Sequence, residues 1–308
     1  MVGTFNLLDS IRKYSPNTMV LYSSSNKVYG DFNQLSFIEK DTRFECLEFP
    51  NGFDENLPLD FHSPYGCSKG AADQYLLDYS RIFGIRTAVF RHSSMYGGNQ
   101  HSTIDQGWIG WFCERALLIK QKKILAEVTI SGNGKQVRDL LHATDMKSLC
   151  RNAVEKKDLN YGQVFNIGGG KENSLSLLEL LSFLEKKLEI KITVKKIAQR
   201  ISDQKIFIAD TDKASRVFDW HPKINYDQGI LDHLEWVKFS GMAWYKDGFF
   251  YSRYDAQSED EKLKAANEFQ KLYYHKVGTD QSMDKLVMEA KDSPQRGFSG
   301  YVTDDENY

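Results

Sequence analysis

The residues best suited to chemistry are Tyr65 and Lys69, in Ser63-Pro64-Tyr65-Gly66-Cys67-Ser68-Lys69, and Ser25, in Ser23-Ser24-Ser25-Asn26-Lys27-Val28-Tyr29-Gly30. Residues four apart share one helix face, which brings Lys69 beside Tyr65. An ammonium next to a phenol favours the phenolate, so the tyrosine can take a proton from a substrate hydroxyl near neutral pH. Tyr-x-x-x-Lys is weak on its own: a chain this rich in both residues holds about one by chance. Its meaning depends on the elements around it.

Those elements are legible. Ser63 suits an N-cap, Pro64 the first helical position and Gly84 the residue past the end, which predicts a helix between them. Thr18-Met19-Val20-Leu21-Tyr22 has the apolar, partly β-branched character of a buried parallel strand and ends on the serines. Ligands of open α/β sheets sit beyond the carboxyl ends of strands, so Ser25 is expected to face the cleft of Tyr65. An ordinary serine turn beside an ordinary amphipathic helix is the competing account. Further on, Arg86-Thr87-Ala88-Val89-Phe90 reads as another buried strand, with Arg91 to Gly98 as the loop at its carboxyl end.

Together these runs resemble the extended short-chain dehydrogenases that act on nucleotide sugars. Arg91-His92-Ser93-Ser94-Met95-Tyr96-Gly97-Gly98, Asp105-Gln106-Gly107-Trp108-Ile109-Gly110-Trp111-Phe112-Cys113 and Ser131-Gly132-Asn133-Gly134-Lys135-Gln136-Val137-Arg138-Asp139 narrow the likeness. They point to the subgroup that epimerises C2 of a CDP-linked 3,6-dideoxyhexose, over roughly Val2 to Val237. The resemblance implies an α/β fold, a Rossmann-like doubly wound parallel sheet with a smaller substrate lobe, and NAD as cofactor. It implies that Tyr65, Lys69 and Ser25 are catalytic, with Ser25 also touching substrate. It places Ser23 and His92, with Tyr65 and Lys69, on the nicotinamide side, and Ser94 against the substrate. Arg138 and Arg200 match the two arginines that clamp the diphosphate, where a planar fork fits phosphate oxygens; surface ion pairs are the alternative for each. Trp108, Trp111 and Phe112 stand at helical spacing, either in the core or flanking a base. A CDP-linked 3,6-dideoxyhexose or related nucleotide sugar is the implied partner, and a homo-oligomer is compatible with it.

The chain opens on Val2 to Ile11, an amphipathic stripe of Phe5, Leu8 and Ile11 with Leu7 beside them. The family's Gly-rich phosphate turn, ribose-binding acid and first strands have no counterpart in these residues. The expectation is an N-terminally truncated, incomplete sheet with impaired NAD binding. Gly168-Gly169-Gly170, the one Gly-rich turn, is followed by a helix capped by Asn173 or Ser174, as a phosphate cradle would be, but it lacks the third glycine of the dinucleotide fingerprint and reads as a tight turn. Between Asp31 and His62 the chain is polar and irregular; Leu175 to Leu188 reads as a helix and Ile192-Thr193-Val194 as a strand of the substrate lobe.

A net charge of −2 suggests neither nucleic acid nor an anionic membrane as partner. No apolar run approaches a membrane span and no signal-peptide pattern is present. The four cysteines, Cys46, Cys67, Cys113 and Cys150, lack metal or redox spacing, which argues for reduced thiols in the cytoplasm and no metal site.

Past Trp236 the character changes. Ala243-Trp244-Tyr245 and Phe249-Phe250-Tyr251 around Lys246-Asp247-Gly248 read as an aromatic β-hairpin. A charged stretch, Asp255 to Glu268, is expected to be a solvated loop or helix, and Lys271 to Lys276 and Lys285 to Met288 form a second hairpin. Met242-Ala243-Trp244, Gln270 to His275 and Gly278 to Ser282 resemble part of the prolyl oligopeptidase propeller. The expected division is 1–239, an NAD-dependent epimerase/dehydratase domain without its Gly-rich part, and 240–308, a hairpin-rich propeller-blade fragment. Gly297-Phe298-Ser299-Gly300 falls short of a Gly-x-Ser-x-Gly nucleophile turn, so no proteolysis is expected. The reading is a nucleotide-sugar C2 epimerase, impaired as an isolated chain. Its alternatives are a non-catalytic fusion or interaction protein and a propeller-related fragment.

Overall fold

The computed structural model describes residues 2–98, 100, 102–156, 161–239, 242–253, 269–294 and 296–298. In chain order come α1 (Val2–Tyr14), β1 (Met19–Ser23), β2 (Phe37–Glu39), β3 (Phe44–Cys46), α2 (Ser63–Phe83), β4 (Arg86–His92) and β5 (Ser94–Tyr96). Next are α3 (Trp108–Lys120), β6 (Glu127–Ser131), β7 (Val137–His142), α4 (Ala143–Glu155), β8 (Gln163–Ile167), β9 (Ser174–Ser176), α5 (Leu177–Leu188) and β10 (Thr193–Ile197). Then follow β11 (Ile206–Phe207), α6 (Asp212–Phe218), α7 (Tyr226–Phe239), β12 (Met242–Tyr245), β13 (Gly248–Arg253), β14 (Lys271–Lys276) and β15 (Lys285–Glu289).

The two apolar runs read as buried strands lie side by side. β1, β4 and β8 form a parallel sheet in that order, with Ser23 level with Phe90 and His92 level with Ile167. Burial on both faces explains the unalternated apolar sequence of β4, whereas β1, at the edge of this sheet, is only half-buried and departs from the expected buried strand. Leu8 of α1, Leu76 and Tyr79 of α2 and Val89 close one face. Phe90, Phe165 and Phe218 meet on the other, with Phe165 and Phe218 ring centroids 4.6 Å apart. Of the predicted α1 stripe, Leu8 is buried while Phe5 and Leu7 remain exposed.

Helix α2 starts and stops where capping chemistry requires. Ser63 Oγ accepts the Gly66 N–H at 3.1 Å, and Pro64 occupies the first turn. Gly84 takes the left-handed conformation (φ 68°) and its N–H returns to Ser80 O at 2.9 Å. The helix also needs glycine where it crosses the serine segment. A Cβ on Gly66 would lie 3.0 Å from the Lys27 carbonyl, so α2 rests directly on the 3₁₀ turn Asn26–Tyr29.

Three sequence expectations change and one holds. The stretch from Asp31 to His62 holds the antiparallel hairpin β2–β3. Arg91 to Gly98 is no simple loop, because β4 runs to His92 and β5 pairs in parallel with β7. Helix α5 is capped by Ser176, through a capping box with Glu179, in place of Asn173 or Ser174, which lie in a 3₁₀ turn and β9. Gly168 and Gly169 are filled by protein: their Cβ atoms would fall 1.7 Å from Asp139 Oδ2 and 2.0 Å from Leu140 O. The tight-turn reading holds, since these two glycines pack directly on protein and Gly170 takes a positive φ of 74°.

The substrate lobe is a second core, in which Ile109 and Phe112 of α3, Leu180 and Leu184 of α5, and Ile230 and Leu234 of α7 come together. The tail forms an antiparallel sheet in the order β12-β13-β14-β15 with Tyr245 level with Gly248, as the hairpin reading requires. Its last strand leaves Leu286, Val287 and Met288 exposed. The charged stretch 255–268 and the boundary at Ser240 lie outside the described residues. No helix among the described residues is long and apolar enough to cross a membrane.

Phe165, fully buried between Phe90 and Phe218, is the tightest aromatic junction of the sheet. Phe165→Ala should lower unfolding free energy by about 3–5 kcal/mol, read as a shifted urea midpoint.

Candidate active site

The carboxyl ends of β1 and β4 assemble the first group of predicted residues. Ser23 and His92 end these strands, and the Ser23 hydroxyl meets His92 Nε2 at 2.6 Å. His92 Nδ1 lies 3.2 Å from Ser93 O, so this nitrogen carries the proton and Nε2 accepts from Ser23. Burial, then the nearby Lys69 charge, hold the His92 pKa below its ordinary value, consistent with a neutral ring. Lys69, reaching from α2, donates to Ser23 O at 2.7 Å and stands over the Tyr22 ring, and burial lowers its pKa as well. Ser25 is buried and spends its hydroxyl locally: it accepts the Lys27 N–H at 3.2 Å and donates to Asn26 at 3.3 Å, capping the 3₁₀ turn.

A cavity of about 500 Å³ adjoins this group, lined by Tyr65, Ser94, Arg138 and Arg200 together with Trp108, Trp111 and Phe112. Four of the eight predicted site residues therefore share one cavity, and Ser23, Lys69 and His92 form the neighbouring cluster. Tyr65, at the start of α2, is half exposed. Ser94 is oriented by Trp108, whose Nε1–H donates to its hydroxyl at 2.9 Å. Arg138 on β7 donates to Asp203 Oδ1 at 2.8 Å and Val137 O at 2.7 Å. Arg200 is more exposed and reaches Asp105 and Ile104 O, each at 3.2 Å. Phe112 is buried in the lobe core, and all three aromatics line the cavity.

Beneath the site lies a network that sequence reasoning missed. Asp73, two turns along α2 from Tyr65, takes a two-pronged pair from Arg91 of β4 at 2.8 and 2.9 Å and a hydrogen bond from Ser24 at 3.0 Å. Arg91 also donates to Tyr29 at 3.1 Å, and Tyr29 donates to Asn166 at 2.7 Å. Burial works against the Arg91 charge, but the Asp73 hydrogen bonds keep its pKa above the ordinary value. Two signals were available: an arginine inside a buried strand, and an aspartate one helical period from Lys69. A second buried carboxyl, Asp139 on β7, accepts Ala209 N–H at 3.1 Å and Gly170 N–H at 3.2 Å, and burial pushes its pKa up to about 7.

Residues 1–168 match the NAD dependent epimerase/dehydratase family. The CDP-paratose 2-epimerase of Salmonella typhi is 54% identical over 235 residues, 76% of this chain and 69% of the relative. The chain belongs to the NAD dependent epimerase/dehydratase family. A crystal structure of dTDP-glucose 4,6-dehydratase from Bacillus anthracis in complex with NAD superimposes with a TM-score of 0.62 at 26% identity, over 77% of this chain and 67% of that one. The Rossmann-like α/β fold and the family's NAD dependence are thereby established.

Residues 203–308 match the N-terminal β-propeller domain of prolyl oligopeptidase. A prolyl endopeptidase of Elizabethkingia miricola is 42% identical over 93 residues, 30% of this chain and 13% of that enzyme. Within the matched span, α6 and α7 pack on the epimerase/dehydratase cores, so the propeller-like sheet begins only with β12.

The residues present fit one end of NAD. The Ser23, Lys69 and His92 cluster offers hydroxyl, ammonium and imidazole groups at the strand ends, suited to a nicotinamide ribose. The pyrophosphate-cradling Gly-x-Gly-x-x-Gly turn is not among residues 1–308, and Gly168 and Gly169 are packed against Asp139 and Leu140.

Asp73→Ala strands the buried Arg91 charge and should cost about 3–5 kcal/mol of stability, measured by denaturant unfolding. Asp139 keeps its proton longer when folded than unfolded, where a carboxyl titrates near ~4, so its contribution falls as pH rises from there through about 7. Asp139→Asn should flatten that part of the stability profile between pH 5 and 8, measured by urea melts.

Proposed function

We propose that the chain is a nucleotide-sugar epimerase acting at C2 of a CDP-linked 3,6-dideoxyhexose. The observation that carries this reading is the convergence of Tyr65, Ser94, Arg138 and Arg200 on one cavity beside the Ser23–Lys69–His92 cluster. The 54% identity to a CDP-paratose 2-epimerase supports the sugar and the nucleotide. Epimerisation proceeds by oxidation of C2 to a 2-ketosugar, turning of the ketose, and reduction on its other face. NAD⁺, when bound, supplies the hydride acceptor and, once reduced, the donor.

In this reading Tyr65 removes the C2 hydroxyl proton and later returns it. Lys69 binds the nicotinamide ribose, a role that its placement against Ser23 O supports. Ser25, outside the cavity lining in this structure, takes its expected role only by turning its hydroxyl proton from Asn26 to the reacting oxygen. Ser23 and His92 line the nicotinamide side, while Ser94, held by Trp108, contacts the sugar. Arg138 and Arg200 hold the diphosphate, so that remote binding energy fixes the sugar at the reacting end.

The domain boundary falls at 239/240 in this reading, supported by α7 packing in the substrate lobe and by the sheet that starts at Met242. Unpaired, unclustered thiols support a reducing cytoplasm. Exposed Leu7, Ile82 and Phe83 on α1 and α2 support a homo-oligomer.

Tyr65→Phe should lower turnover of the CDP-sugar by about 10²–10⁴-fold while leaving its binding within about threefold, checked by NMR of the C2 configuration and by calorimetry. Variant turnover equal to that of the unsubstituted chain would refute the assignment. The 308-residue chain should bind NAD⁺ only weakly, for want of backbone donors to the pyrophosphate; tight binding in calorimetry would show that other residues cradle it.

A further inference from the structure

One cation in the cavity has no place in the scheme above. Lys27, in the 3₁₀ turn that follows Ser25, lines the same cavity as Tyr65 and Arg138. Its ammonium donates to Ser202 O at 2.9 Å and stands 3.9 Å from Asp203 Oδ1. That same carboxylate oxygen accepts from Arg138 at 2.8 Å. Two cations thus share one carboxylate, and the remaining pair, Arg200 and Asp105, neutralise each other at the rim. The cavity wall carries one positive charge more than it balances, at the junction between Tyr65 on one side and Arg138 on the other.

We infer that Lys27 is a third cationic ligand of the substrate diphosphate, held by Asp203 and Ser202 until the anion arrives. The inference rests on the nucleotide-sugar reading and adds a residue to it. A diphosphate between Arg138 and Lys27 completes the charge balance that Asp203 alone leaves open. An ammonium is a compact point charge on a flexible stem, able to swing from a carbonyl to a phosphate oxygen over a few ångströms.

The surroundings give this residue a signature. Burial first, then Arg138, lower the Lys27 pKa to about 8, opposed by Asp203 and Asp31. The groups facing it are Arg138 from β7, Asp203 from the 199–205 loop, Asp31 past the 3₁₀ turn and Tyr65 from α2, with Arg200 and Asp105 at the rim. A bound anion favours the ammonium, so binding takes up a proton above pH 8 and affinity falls as pH rises further.

The test is calorimetry with CDP as the probe, on the full 308-residue chain and on Lys27→Met and Lys27→Arg, at pH 7.5 and pH 9.5. The unsubstituted chain should lose about tenfold in affinity between the two pH values, as its ammonium deprotonates. Lys27→Met should already be about tenfold weaker at pH 7.5 and show little further loss attributable to this group. Lys27→Arg, which cannot deprotonate, should keep most of its affinity at pH 9.5. Cytidine, which lacks phosphate, should bind all three alike. CDP binding by Lys27→Met with the affinity and pH dependence of the unsubstituted chain overturns the role of Lys27 and leaves the nucleotide-sugar reading standing. Absence of CDP binding by the unsubstituted chain at either pH overturns both.

Discussion

The buried pair between Asp73 and Arg91 is the constraint on which the site depends. It is the point where helix α2, strand β4 and the serine segment after β1 are tied together, because Ser24 donates to the same carboxylate that Arg91 grips. Neither charge has water to retreat to, so the pair holds its geometry only if all of its hydrogen bonds are made. The consequence is positional. With Asp73 fixed to the sheet, Tyr65 and Lys69 on the preceding two turns of α2 are delivered to the carboxyl ends of β1 and β4.

The approach of α2 to the serine segment adds a second restraint of a different kind. Gly66 gives the helix contact with the Lys27 carbonyl, and Gly70 gives room to the Phe61 ring, where a Cβ would lie 2.2 Å from Cε1. Close backbone approach and a buried ion pair act along the same helix, one steric and one electrostatic. Together they make the face that bears Tyr65 and Lys69 part of the sheet's own architecture.

On the far side of the cavity the logic is one of charge. Arg138, Lys27 and Arg200 line an open cavity in which Asp203 and Asp105 are the opposing carboxylates. Burial lowers the pKa of both Arg138 and Lys27, a direct expression of the cost of holding like charges out of water. Trp108, Trp111 and Phe112 supply apolar walls beside these cations, which suits a ligand with a ring at one end and anionic groups in the middle. The aromatic sheet β12–β15 stands outside this scheme. None of its described residues lines the cavity.

The sequence by itself determined the helix from Ser63 to Gly84, the strands at Met19 and Arg86, the one-turn spacing of Tyr65 and Lys69, and the aromatic hairpin around Asp247, because capping, periodicity and turn chemistry are local properties. The tight-turn reading of Gly168 to Gly170 was legible for the same reason. Short strands were not: β2, β3, β5 and β9 have three residues each, too few for a periodic signal, and exist because partners such as β7 are present. Tertiary structure alone decided that Asp73 meets Arg91 and that Lys27 and Arg138 share Asp203, since these contacts join residues 18, 176 and 65 apart. A sequence declares which groups can carry charge. Only the folded chain removes the water between them and so fixes which charges must be paired.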